Sequence, residues 1–233
     1  MLLPEEKHAV AVHESGHALV AALSEHAAPV AKVTILPAGQ TLGVTEQLPL
    51  VERHMYGEDY LLDSLAVRLG GRAAELVVIG QGSTGAANDL AGATDLAIKM
   101  VREFGLSETL GPIGYPEGGS VFLGGGGPAM SSRPFAEATQ AEIDREVSQL
   151  LRQAEQRATE LLQEHRAQLD SLVSLLLEKE TVDGSDVYRL TGQPDRGATS
   201  PPVPSMTVAP RAAAVSDAGA VQHAAGGPDA GKD

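Results

Sequence analysis

The sequence contains no cysteine and no tryptophan, and aromatic residues make up only 3% of its 233 positions. Without cysteine, the chain cannot form disulfides, thiolate metal ligands or a thiol nucleophile. The scarcity of aromatic side chains argues against a surface on which nucleic acid bases stack. Basic residues are also few, with 17 Lys and Arg against 31 Asp and Glu, and the resulting charge of −14 predicts no nucleic acid partner.

Long apolar runs are absent as well. No segment approaches the roughly 18 to 20 apolar residues that a membrane-spanning helix requires. The chain opens with MLLPEEKHAV, which is acidic within five residues and lacks the basic start of a signal peptide. These features predict a cytoplasmic location and no direct membrane insertion.

The composition changes sharply near residue 192. Residues 1–191 carry periodic apolar positions and are predicted to form one domain. Residues 192–233 are rich in Pro, Ala, Gly and Ser, and no apolar face repeats along them. Such a segment buries too little surface to offset its ordering entropy, so we expect a disordered tail.

The apolar pattern of the first 191 residues predicts a mainly α fold with a small β-hairpin. Helices are expected at 7–24, 57–79, 86–104, 134–177 and 183–190, and strands at 31–36 and 42–48. Between residues 143 and 176, apolar side chains recur at spacings of three and four. We interpret this stretch as a C-terminal antiparallel helix pair with a break near residues 165–168.

Residues 13–17 read His-Glu-Ser-Gly-His, within the first predicted helix. His13 and His17 are four residues apart, so both imidazoles project from one helix face and can hold one Zn²⁺. Glu14 does not occupy a coordination position and can act as general base toward a water molecule. A third ligand must come from elsewhere, because residues 18–23 read ALVAAL. Without cysteine it is a His, Asp or Glu, and the residues alone do not separate Asp89 from Glu75 or Asp95.

Several motifs, in order, resemble one family over residues 5–190. They are AVHESGHALVAAL, KVTILPAGQTLGVTEQLP, LLDSLAVRLGGRAAELV, STGAANDLAGATDLAIKMV and GLSETLGPIGY. They are similar to the peptidase domain of the FtsH-type ATP-dependent zinc metalloproteases. The resemblance implies a helical zinc metallopeptidase domain, with Asp89 of the STGAxND segment as the third ligand to one zinc ion per chain.

Further site residues are expected around these ligands. Glu75 can accept a hydrogen bond from a ligating histidine, although the family usually has two consecutive Glu residues where this chain has Glu75 and then Leu76. Asn88 is either a helix-start residue or a residue that orients a ligand. The strand that contains Leu42, Gly43, Val44 and Thr45 is either an ordinary hairpin strand or an edge to which an extended substrate adds, and the resemblance favours the second interpretation.

The predicted function is therefore a zinc-dependent endopeptidase that hydrolyses unfolded or flexible polypeptides. The family's ATPase module and membrane helices have no counterpart in this sequence, which contains no G-x-x-x-x-G-K-[ST] motif. We expect that any ATP-driven unfolding of substrates depends on a separate ATPase. The resemblance implies a six-fold ring, either a homo-hexamer or a mixed ring with full-length homologues, although a monomer is equally compatible with the sequence. The alternative is a non-catalytic or regulatory subunit of such a ring.

Overall fold

A computed structural model describes residues 3–37, 43–48, 55–115 and 135–197. Leu42 and residues 198–233 of the predicted tail lie outside these ranges. The helices of the described part are α1 (Pro4–Leu23), α2 (Glu58–Val78), α3 (Ala87–Arg102), α4 (Glu137–Glu164), α5 (Arg166–Lys179) and α6 (Gly184–Thr191), with a 3₁₀ turn at Thr84–Ala86. The strands are β1 (Val30–Thr34), β2 (Val44–Gln47) and β3 (Thr181–Asp183). The predicted mainly α class is confirmed.

Helix α1 lies at the centre of the domain. It begins at Pro4, whose missing N–H costs nothing in the first turn, and Glu6 accepts a hydrogen bond from the Leu3 N–H at 2.8 Å. Every residue from Ala11 to Ala22 is buried. A helix that is covered on all sides must bury its polar side chains together with its apolar ones, and this brings the motif residues 13–17 into the interior.

Two glycines allow α1 and α2 to approach closely. A Cβ atom on Gly16 would lie 2.3 Å from the Gly70 carbonyl oxygen, and one on Gly70 would lie 2.9 Å from the Gly16 carbonyl oxygen. Any larger residue at either position would push the two backbones apart. This contact sets the distance between the motif helix and α2.

The three strands form an antiparallel sheet in the order β2-β1-β3. The predicted hairpin corresponds to β1 and β2, and β3 adds a third strand that the sequence pattern did not indicate. Only three residues long, β3 follows Glu180, which has a left-handed backbone with φ of 60°. So short a strand shows no alternation of apolar and polar residues. In this sheet β2 is an edge strand.

The C-terminal helices meet at His165, within the predicted break. Only His165 separates α4 from α5. Helix α4 packs mainly on α2, and α5 packs mainly on α1.

Residues just beyond the predicted domain boundary contact the motif helix. The guanidinium group of Arg196 lies within hydrogen-bonding distance of five backbone carbonyl oxygens at the end of α1, those of Ala21, Ala22, Ser24, Glu25 and Ala27. It also lies 5.7 Å from the ring centroid of Tyr188. Since the last turn of α1 contains no basic residue, Arg196 provides the positive charge that favours a helix C-terminus.

None of the helices in the described ranges combines the length and apolar character that crossing a membrane requires.

Candidate metal centre

His13, His17 and Asp89 converge on one point between α1 and α3. The Nε2 atoms of the two histidines are 3.0 Å apart. Asp89 Oδ2 lies 3.2 Å from His13 Nε2 and 3.6 Å from His17 Nε2. Both histidines are buried, and Asp89 is partly exposed. The four-residue spacing brings the histidines together, whereas Asp89 joins them across 76 positions because α3 begins beside α1.

The second ring nitrogen of each histidine is bonded to an oxygen. His13 Nδ1 lies 2.8 Å from Glu75 Oε1, and His17 Nδ1 lies 2.7 Å from the Val67 carbonyl oxygen. Neither oxygen carries a proton in its ordinary state, so each Nδ1 must be the donor. In neutral imidazoles this leaves both Nε2 lone pairs pointing toward one another and toward Asp89.

Such a cluster of lone pairs beside a carboxylate favours a cation at this point, and the pKa shifts of His13 and Asp89 agree with this. Burial lowers the pKa of His13, but hydrogen bonds with Asp89 and Glu75 outweigh burial and raise it above its ordinary value. Burial favours the neutral acid at Asp89, but hydrogen bonds with His13 and His17 hold its pKa well below the usual range. The site therefore stabilises an ionised carboxylate beside a cation.

Glu14 follows His13 and is held by the sheet. Thr45 Oγ1 lies 2.7 Å from Glu14 Oε2 and 3.1 Å from the Glu14 carbonyl oxygen. The other carboxylate oxygen, Oε1, faces Gly43, where a Cβ atom would be only 2.8 Å away. Glycine at this position therefore permits the strand to approach Glu14 closely.

A fourth glycine, Gly71, makes room for the histidine rings. A Cβ atom on Gly71 would lie 2.6 Å from His13 Nε2 and from His17 Nε2. The adjacent glycines at positions 70 and 71 have separate roles. Gly70 accommodates the backbone of α1, and Gly71 accommodates the two Nε2 atoms.

The three candidate ligands and Glu14 line a cleft of about 830 Å³. One side of the cleft is helical and carries His13, His17, Glu75 and Asp89, and the other is formed by Gly43, Val44, Thr45 and Gln47 at β2. Asn88 also lines the cleft, next to Asp89 in the first turn of α3, and is exposed. Leu42, the first residue of the predicted substrate strand, lies outside the described residues.

Sequence reasoning missed two contacts within this site. The hydroxyl group and the backbone N–H of Ser83 both donate to the carboxylate of Glu75. Thr45 was expected only along the substrate strand, but it bonds Glu14. The Ser83 contacts span eight residues across the turn after α2 and the Thr45 contact spans 31 residues, and no helix or strand period signals either of them.

A buried helix with two histidines four residues apart, an adjacent glutamate and an open cleft is the arrangement of a metallopeptidase. Comparison with known proteins agrees. Residues 1–190 match peptidase family M41. The chain is 63% identical over 194 residues to a protein of Acidothermus cellulolyticus named ATP-dependent zinc metalloprotease FtsH, and 49% identical over 193 residues to the protein of that name from Acidimicrobium ferrooxidans.

A more distant relative of the same name, from Thermotoga maritima, is 40% identical over 195 residues. Each of the three alignments covers 83% of this chain, but only 29%, 29% and 32% of the respective relative. The chain belongs to peptidase family M41, which confirms the predicted resemblance and the metallopeptidase class of hydrolase. It spans less than a third of the length of these relatives.

Proposed function

We propose that this domain is a zinc-dependent endopeptidase in which His13, His17 and Asp89 bind one Zn²⁺ and Glu14 acts as general base. The observation that carries the proposal is the mutual separation of the three ligand atoms, 3.0, 3.2 and 3.6 Å. A tetrahedral zinc ion with bonds of about 2.0–2.1 Å separates its ligand atoms by about 3.3 Å. Three protein ligands also leave a fourth position open, as a catalytic site requires.

The surroundings of the ligands support this metal. Two imidazole nitrogens and one carboxylate oxygen are a donor set that zinc accepts. The bonds from Nδ1 to Glu75 and to Val67 direct both Nε2 lone pairs to the common point, and Gly71 keeps that point free of side-chain atoms. The residues present therefore fit a zinc ion.

Zinc supplies Lewis acidity, which lowers the pKa of a water molecule and polarises the scissile carbonyl group. Glu14 takes a proton from the attacking water and delivers it to the leaving amine nitrogen. Thr45 donates its hydroxyl hydrogen to Glu14 Oε2, which orients the carboxylate and leaves Oε1 to receive the proton. Glu14 lines the cleft, so a substrate in the cleft can reach its carboxylate.

The substrate is an unfolded or flexible polypeptide that adds to the edge strand β2 and lies along Leu42, Gly43, Val44 and Thr45. Two features support this. Strand β2 pairs with β1 on one side only, within the described residues, and it lines the cleft next to Glu14. Strand addition recognises the backbone of an extended chain, which suits an enzyme with many substrates.

The relatives are named as ATP-dependent enzymes, and this chain matches less than a third of their length. We propose that substrate unfolding depends on an ATPase that acts together with this domain. We also propose that the domain works in a ring, as a homo-hexamer or a mixed ring with full-length homologues. A cytoplasmic location stays a prediction from the sequence.

Zinc stoichiometry combined with cleavage of unfolded casein tests the proposal. We expect one zinc per chain in both the wild type and Glu14→Gln, cleavage by the wild type, and loss of at least about 100-fold in kcat in the variant. Gln keeps the size of Glu but cannot accept the proton. A chelator should abolish the wild-type activity, and added zinc should restore it.

A Glu14→Gln variant with full activity would disprove the role of Glu14. A wild-type protein that binds no zinc and cleaves nothing would disprove the peptidase proposal. It would support the alternative, a non-catalytic subunit, for which capture by full-length homologues is the next measurement.

A further inference from the structure

The carboxylate of Glu75 is almost fully buried, with 1% of the residue exposed, and it accepts three hydrogen bonds from two parts of the chain. His13 Nδ1 lies 2.8 Å from Oε1. The Ser83 hydroxyl group also donates to Oε1 at 2.8 Å, and the Ser83 backbone N–H donates to Oε2 at 2.5 Å. One buried anion therefore holds a histidine of α1 and a residue of the segment that leads into α3.

Ser83 itself uses both hydrogen-bonding capacities of its hydroxyl group. Oγ donates to Glu75 and accepts from the Gly85 backbone N–H at 3.1 Å. This second bond caps the 3₁₀ turn Thr84–Ala86, which runs directly into α3 and Asp89. The position of Ser83 consequently determines where α3 begins, and Asp89 lies in its first turn.

The chain returns to Glu75 because of the turn after α2. The backbone N–H groups of Ile79 and Gly80 both donate to the Glu75 carbonyl oxygen, at 2.8 and 3.1 Å. Gly80 has φ of 83°, a left-handed conformation that glycine adopts without strain. The chain reverses there and brings Ser83 back to the side chain of Glu75, so the main chain of Glu75 holds the start of this turn and its side chain holds the end.

We propose that Ser83 is a positioning residue for the metal centre: through the shared carboxylate of Glu75, it holds Asp89 in place relative to His13. The proposal rests on the proposed function, because it concerns the ligands assigned to zinc there. Coordination bonds tolerate little displacement, so the ligand from α3 must be fixed relative to the ligands from α1. Glu75 and Ser83 make this connection without occupying a coordination position themselves.

If Ser83 only capped the 3₁₀ turn, loss of its hydroxyl group would affect the stability of the fold and not the metal site. The Ser83 residue is exposed, so water can replace its hydroxyl group as a donor to Glu75. Water is not attached to the chain, however, and cannot hold the segment that carries Asp89. Loss of the hydroxyl group should therefore alter the metal site more than the stability of the fold.

The test measures zinc affinity by competition with a chromophoric chelator, using the full chain. We expect the zinc dissociation constant of Ser83→Ala to rise about tenfold, within the range seen for residues that support metal ligands. Ser83→Thr keeps the hydroxyl group and should bind zinc like the wild type. Thr94→Ala is the matched control, because it removes a hydroxyl group from α3 whose partner among the described residues is the Leu90 carbonyl oxygen.

Two further readouts separate positioning from general destabilisation. The visible spectrum of the Co²⁺-substituted protein should change in Ser83→Ala and stay unchanged in Thr94→Ala, while the metal-free variants unfold at similar temperatures. In combination with Glu75→Gln, Ser83→Ala should add much less than its own tenfold effect, because both substitutions interrupt the same connection.

Wild-type affinity and an unchanged Co²⁺ spectrum in Ser83→Ala would overturn the inference while leaving the peptidase proposal intact. So would a full tenfold effect of Ser83→Ala in the Glu75→Gln background, since Ser83 would then act independently of Glu75. A wild-type chain that binds no zinc would overturn both proposals.

Discussion

The helical wall of the cleft, formed by His13, His17, Glu75 and Asp89, and the strand wall, formed by Gly43, Val44, Thr45 and Gln47, hold their side chains in different ways. On the helical wall each histidine is held through its Nδ1 atom, and Glu75 is buried with three donors. The strand wall is only partly buried, and its side-chain contacts with the motif, within the described residues, join the hydroxyl group of Thr45 to Glu14.

This difference corresponds to the tasks proposed for the two walls. A metal ion accepts ligands only within a narrow range of distances, so the residues that hold it must be fixed by neighbours. An incoming peptide instead needs backbone groups that are free to pair, which an edge strand offers. Glu14 lies between the walls, with its backbone in α1 and its carboxylate held by β2.

Separating α1 from α2 should have the largest effect, because it disturbs the whole helical wall. In Gly16→Ala the new methyl group meets the Gly70 carbonyl oxygen, and we expect the free energy of unfolding to fall by about 3 kcal/mol. Chemical denaturation measures this change. Gly57→Ala is the control, because a Cβ atom at Gly57 contacts nothing within 4 Å. Equal stabilities of the two variants would contradict the proposed importance of the close helix approach.

Filling the space next to the two Nε2 atoms should damage the helical wall alone. In Gly71→Ala the added methyl group displaces both imidazoles, and we expect zinc affinity to fall by about 100-fold, or about 2.7 kcal/mol. Metal analysis and chelator competition measure the loss. Thr45 and the sheet are not touched, so the fold should remain. Normal zinc binding by Gly71→Ala would show that the histidines do not meet the metal at this point.

A substitution on the strand wall should affect catalysis and leave the metal in place. Thr45→Val removes the donor to Glu14 while keeping the side-chain shape, and we expect kcat to fall about tenfold with unchanged zinc content. Steady-state cleavage of an unfolded substrate measures the rate. Thr45→Ser keeps the hydroxyl group and should retain most of the activity. Loss of zinc from Thr45→Val would mean that the two walls are not separable.

The smallest effect is expected at the far end of α1. Arg196→Ala removes the cation that bonds the last carbonyl groups of the motif helix, and we expect the free energy of unfolding to fall by about 1 kcal/mol. Arg189→Ala is the control, because its exposed ion pair with Asp186 within α6 contributes little. Thermal unfolding of the two variants and the wild type measures these changes in stability. Equal stabilities of Arg196→Ala and Arg189→Ala would show that Arg196 does not support the helical wall.

Features that depend on neighbours in the chain were predictable. The spacing of His13 and His17 places them on one helix face wherever that helix lies, and the apolar period gave most helix positions to within three residues. The two strands of the hairpin were also expected. The three-residue strand β3 was not expected, because so short a segment shows no alternation of apolar and polar residues. It is a strand because it pairs with β1.

Features that join distant segments were not predictable from the residues themselves. Glu75, Asp89 and Asp95 all lie on helical patterns rich in small residues, and only the resemblance to a known family singled out Asp89 as a ligand. In the structure Asp89 lies against the histidines, and Glu75 lies behind His13.

By itself the sequence determined a mainly α domain with a histidine pair and an adjacent glutamate on one helix, because helical periodicity is a local property of the chain. The tertiary structure alone decided which carboxylate faces the two Nε2 atoms, which one stands behind His13, and which hydroxyl group holds Glu14. These contacts depend on how closely α1, α2 and β2 approach one another. Glycines at positions 16, 43, 70 and 71 permit that approach, and their effect is visible only once the helices and strands are packed.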